Sequence, residues 1–180
     1  MKHEELDIDL KEFPERIKKL VLLLNDSNGL TRESGRAKFV AMDGEAITYL
    51  EHLLITNQDT LRWEAVKALE EIADKSSIPV FLRLMERDPS GDIRELAAKG
   101  LARFGHLGLV PLLEELIKRD PIEWIYETAS LVLRRLSKQD HEKYPAIKPL
   151  TDALLSDDRT GVRIRPLAEK VLEEIEEKPL

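Results

Sequence analysis

The stretch RDPSGDIRELAAKGLARFGHLGLVPLLEEL, Arg87 to Leu116, reads as helix, turn, helix. About thirty residues earlier stands NQDTLRWEAVKALEEIADKSSIPVFLRLM, Asn57 to Met85, with much the same pattern. Aligned on Arg94, the residues at +3, +4, +7 and +10 are Ala97, Ala98, Leu101 and Phe104. From Arg62 they are Ala65, Val66, Leu69 and Ile72, and from Arg32 they are Gly35, Arg36, Phe39 and Met42. Tyr126 and Arg165 begin two further copies, with Ala129 and Ala168 at +3. The anchors fall 30, 32, 32 and 39 residues apart. Offsets of three, seven and ten lie on one face of an α-helix. A small residue at +3 in all five copies marks the place where two helices approach closely.

Each first helix is followed by a second apolar segment: Ala46 to Leu54, Ile78 to Met85, Leu109 to Ile117 and Ile147 to Leu155. Pro79, Pro111 and Pro149 sit near three of their starts, where a missing N–H costs little. The segment Pro14 to Leu24 reads as a second helix without its first. The chain is therefore expected to form one domain over residues 1–180. That domain has a tail at 1–12, a capping half-repeat at 13–25 and repeats over 26–177. About eleven helices are expected. The long last spacing comes from DHEKYP, Asp140 to Pro145, and the last helix is expected over Arg165 to Glu177 as a polar cap. Two readings weaken the first copy: it has Thr31-Arg32 rather than an apolar-Arg pair, and a polar Arg36 where core is expected.

Composition narrows the function classes. The net charge is −7 over 180 residues, a poor match for non-specific binding to phosphate backbones. There is no cysteine, which removes disulfides, thiolate metal sites and thiol nucleophiles. The start, MKHEELDIDLKEF, lacks a signal peptide's apolar core, and the longest local apolar run, Leu20 to Leu24, is far too short to span a bilayer. A cytoplasmic setting is expected.

The apolar-Arg pairs Leu61-Arg62, Ile93-Arg94 and Ile164-Arg165, with turn acids Asp59, Asp88 and Asp158 nearby, resemble the HEAT-repeat superfamily. The resemblance is greatest to its short bacterial and archaeal members, the type found in phycobilisome bilin lyases, and it covers roughly residues 14–177. It implies an all-α fold, an α-solenoid of roughly five helical-hairpin repeats. Stacking buries a continuous core that no single unit could bury alone. It also implies that the second helices line a concave face.

Candidate partner-binding residues follow from that projection. Tyr49 and His52 come from the first full repeat, Arg83 and Arg87 from the next, Lys118 and Arg119 from the third. Both charge signs are present among the neighbours, which suits a folded protein or peptide better than DNA. Trp63 and Trp124 read either as packing between repeats or as interface anchors. Arg62 and Arg94, with Ala65, Ala97, Ala129 and Ala168, are read as structural repeat residues. The regular spacing of Arg32, Arg62, Arg94 and Arg165 favours a joint that every unit needs over an anion-binding ladder.

No catalytic constellation emerges. The four histidines, His3, His52, His106 and His141, include no i,i+4 pair, and HExxH and GxSxG are absent. The adjacent pairs His3-Glu4 and His141-Glu142 do not recur in register, unlike those of HEAT-like iron hydroxylases. DDRTGVRIRP, Asp157 to Pro166, gathers three arginines before a helix start but lacks the spacing and lysine of a phosphate-binding loop. The expectation is a protein-binding scaffold module, without cofactor, metal or membrane and not an enzyme, whose partner is another protein or peptide. A small ligand stays open. One alternative is an accessory protein or lyase acting on a cofactor-bearing protein, which the resemblance permits. Another is nucleic-acid binding, as in HEAT-like DNA glycosylases, against the acidic charge.

Overall fold

The computed structural model of the chain describes residues 7–118, 123–140, 145–157 and 160–177. Among these, all regular structure is helical, and the fold is an all-α solenoid of helical hairpins. The ten α-helices are α1 (Glu15–Leu24), α2 (Gly29–Val40), α3 (Ile47–Leu53), α4 (Asp59–Ile72), α5 (Ile78–Arg87), α6 (Gly91–Arg103), α7 (His106–Lys118), α8 (Glu123–Asp140), α9 (Ile147–Leu155) and α10 (Gly161–Glu177). Short 3-10 turns, Asp43–Ala46 and Lys75–Ser77, lead into α3 and α5. The described count is one below the expected eleven, because the fifth copy contributes α10 alone.

The chain divides into two compact units, Met1–Val80 and Phe81–Leu180. In the first, α1 packs on α2, α2 on α4, and α3 on α4. Its buried apolar residues include Ile17, Val21, Leu24, Phe39, Leu50, Leu53, Leu61 and Leu69. Gly35 is buried on α2, and a Cβ there would stand 2.8 Å from Leu23 Cβ and 3.2 Å from the Leu24 backbone nitrogen. The +3 position is small for the reason the pattern gave: two backbones meet.

In the second unit, α6 packs on α8, and α8 on α9. Ala97, Ala129 and Leu133 are fully buried, as are Leu112, Leu113 and Leu116 of α7. The turn between α6 and α7 is two residues long because Gly105 takes a left-handed φ of +56°, which reverses the chain at once. Helix α7 therefore starts at His106, three residues before the expected Leu109, and Pro111 falls inside the helix rather than in its first turn. Helix α10 starts at Gly161 and buries Ile164, Ala168, Val171 and Ile175. It packs on α7 and α9, so its stripe closes the end of this unit against second helices.

Candidate partner-binding surfaces

Three of the repeat arginines, Arg32, Arg62 and Arg94, are committed to the turns that precede them. Arg32 Nη1 donates to the carbonyls of Asp26 (2.9 Å) and Ser27 (3.1 Å). Arg94 Nη1 donates to those of Asp88 (2.8 Å) and Pro89 (3.2 Å), and Arg62 Nη1 to that of Thr56 (2.8 Å). The partner six residues back is itself a turn-former. Asp26 accepts from the Asn28 N–H (2.7 Å), Asp88 from Ser90 (2.9 Å) and the Thr56 hydroxyl from Gln58 (3.2 Å). Three consecutive turns thus share one device, an Asx- or ST-turn whose carbonyl is clamped by the arginine of the next helix. The repeating turn acid is Asp26 or Asp88. Asp59 occupies a different position, three residues before Arg62, and pairs with its Nη2 at 2.6 Å. Aligning DSNGLTR (Asp26–Arg32) with DPSGDIR (Asp88–Arg94) exposes this register directly.

Arg36 does not disturb the first copy. Its guanidinium meets Glu64 of α4, and its Nε donates to Glu71 at 2.7 Å, while Arg32 Nε donates to Glu64 at 3.2 Å. Glu64 is only 5% exposed. Burial weakens the hold of Arg36 on its proton, but hydrogen bonds to Glu64 and then Glu71 outweigh it and raise the pKa above the ordinary arginine value. The polar residue in a core position is one half of a charge-assisted joint between α2 and α4.

Tyr49 and His52 are half-buried beneath their own N-terminal segment. Phe13 sets its ring edge-on to Tyr49, with centroids 5.0 Å apart, and lies 5.1 Å from the His52 ring. His52 Nε2 lies 3.1 Å from the Asp9 carbonyl; a carbonyl only accepts, so this nitrogen carries the proton. The Asp7 carboxylate accepts from the Thr56 hydroxyl and from the Asn57 N–H (2.7 Å). These bonds, Thr56 first, hold its pKa below the ordinary 3.8. Trp63 is half-buried on α4.

The second unit leaves its aromatic open. Trp124 is 40% exposed, and the Arg94 guanidinium lies 4.2 Å from its ring centroid. Arg94 also lines a cavity of about 360 Å³ together with Glu95, Glu127, Leu131, Arg134 and Leu155. Both charge signs meet there, and Leu155 is half exposed. Arg83 is exposed; Arg87 is paired with Glu86 (3.0 Å) and Lys118 with Glu114 (3.3 Å), both at the surface. Arg119, His3, His141 and Asp158 lie outside the described residues. The surface thus holds Trp124, a candidate from the sequence reading, beside Arg94, which was read as a structural repeat residue, and adds Glu95, Glu127 and Arg134. Arg134 stands seven residues after Glu127, two turns further along the same side of α8, a spacing that could have marked it. Among the described residues, no group of three or more His, Cys, Asp or Glu could hold a metal ion, and no helix is long and apolar enough to cross a membrane.

Comparison with known proteins places this geometry. A family model of HEAT repeats matches residues 47–133 and 78–168, together more than half of the chain. No curated protein matches the sequence. Among solved structures, the complex of CpcE and CpcF of phycocyanin lyase from Nostoc sp. PCC7120 contains a chain that is 20% identical. That match covers 88% of this chain and 96% of that one, with a TM-score of 0.56. It corrects the expectation that the chain is not an enzyme: the same fold serves in a lyase, so a helical-repeat architecture is no argument against a part in catalysis. The register of small residues, the clamped turns and the matched family model converge, and the chain belongs to the HEAT-repeat family.

Proposed function

We propose that this chain is a protein-recognition subunit serving a lyase-type modification of a cofactor-bearing protein. Within the HEAT-repeat family it would stand with the short repeats of the bilin-lyase type. The observation that carries the reading is the fold likeness to a chain of a phycocyanin lyase complex over nearly the full length of both. The open face of the second unit supports it. Trp124 offers a large rigid anchor, and the mixed charges of Arg94, Arg134, Glu95 and Glu127 fix orientation more than they add affinity. In this reading the chain's own residues bind and orient a protein substrate. A second helical-repeat chain is the expected co-subunit, and a linear tetrapyrrole is the expected cofactor of the substrate protein.

The test combines this chain, a second lyase-type repeat chain, apo-phycocyanin subunits and a phycobilin. Pigment that stays with the protein after denaturation is measured by visible absorbance. The expected result is attachment that rises several-fold when this chain is present, with a complex visible by size exclusion. Unchanged attachment and no complex would overturn the reading.

A further inference from the structure

In the first unit, residues 7–13 cover a patch of donors and rings on α3 and the turn after it. Thr56 O–H, Asn57 N–H and the His52 Nε2–H are three donors presented at the end of α3 and the turn after it. Tyr49 and the His52 ring form an aromatic seat beside them. Residues 7–13, DIDLKEF, match this surface group by group: a carboxylate on two donors, a main-chain carbonyl on the third, a phenyl ring on the seat. The segment is locally preformed. Asp9 Oδ1 accepts from the Lys11 N–H (2.9 Å), and the Phe13 N–H donates to the Leu10 carbonyl (2.9 Å).

We propose that the surface of Tyr49, His52, Thr56 and Asn57 recognises an acidic, aromatic-ended segment of a partner protein, and that residues 7–13 hold it shut in the free chain. Three converging donors select for oxygen acceptors, and the seat selects for an aromatic side chain a few residues further on. Asp7 and Asp9 are exposed, and the bonds to the Asn57 N–H and His52 lie at the surface where water and salt compete with them; the Thr56 bond is part-buried. A tethered segment acts at an effective concentration on the order of millimolar. A partner segment making the same contacts, plus others around them, displaces it. This inference does not depend on the lyase reading.

The experiment titrates a fluorescent peptide of sequence DIDLKEF into the full chain and into the full chain carrying Asp7→Asn and Phe13→Ala, with Asp7→Asn alone as the milder variant. Melting curves by circular dichroism check that all remain folded. Expected is binding to the released variants at least tenfold tighter than to the parent chain, and loss of that binding on adding Thr56→Val. Equal affinity for parent and variants would overturn the proposal, as would no binding at millimolar peptide. A parent chain that dimerises by exchanging residues 7–13 would reassign the surface to self-association and overturn it too.

Discussion

The two units use their polar side chains differently. In the first, charge is built into the joint: Glu64 receives Arg32 and Arg36 between α2 and α4, and Asp7 ties the N-terminal segment to Thr56 and Asn57. In the second, α6 packs on α8, and the small residues Ala97, Ala98 and Ala129 of these helices are at most 1% exposed. Arg94, while clamping its turn, lines a cavity with Arg134 and also meets the Trp124 ring. The same repeat position, four after the anchor, holds Arg36 in one unit and Ala98 in the other. A helical repeat fixes where helices approach; it leaves free whether the approach is made with methyl groups or with an ion pair.

The largest expected effect breaks the small-residue joint. Ala97→Glu places an unpaired carboxylate at a site with no exposure and should destabilise the chain by about 4 kcal/mol or more. An unchanged thermal melt would show that the α6–α8 register is wrong. Next comes the charged joint. Glu64→Ala leaves two arginines without their shared acceptor and should cost ~3–4 kcal/mol by urea unfolding. Replacing Arg36 and Glu64 together by Leu should restore most of that, because the desolvation cost disappears with the charges. A double variant as unstable as the single would mean that the pair specifies the joint rather than merely filling it. Gly35→Ala is smaller, about 1–3 kcal/mol, since Leu23 and the Leu24 backbone must move aside.

Much of this was legible because side-chain size at helical spacing is a direct record of packing. Ala65, Ala97, Ala129 and Ala168 are fully buried, and the hairpin order follows from them. Arg36 was misleading because one sequence position says nothing about its partner 28 residues away. Glu64 sits two after its own anchor, and only the packing of α4 on α2 brings it under Arg36. Phe13 and Asp7 were hidden for a similar reason. A short acidic segment reads as a tail, and nothing in its pattern says that three donors and two rings wait for it on α3 and the following turn. Trp124 could be read as packing or anchor until its exposure was known.

The smallest effect concerns acid. The Asp7 carboxyl titrates below its ordinary 3.8, so its contribution is complete above that value and fades as pH falls through the lowered one. The Asn57 amide resonance should therefore report a midpoint below 3.8, and Asp7→Asn should abolish that titration. A midpoint at or above 3.8 would detach the carboxylate from Thr56 and Asn57.

Protein recognition is proposed for the open face of the second unit, around Trp124 and Arg134. Its most direct test is calorimetric titration of the chain with phycocyanin subunits, comparing the parent with Trp124→Ala and Arg134→Glu. Trp124 is partly exposed, so its removal should lower stability by no more than about 1 kcal/mol. Expected are saturable binding by the parent and a loss of tenfold or more in both variants, about 1.4 kcal/mol or above, at nearly unchanged melting temperature. Absence of binding by the parent, or equal binding by all three, would contradict it.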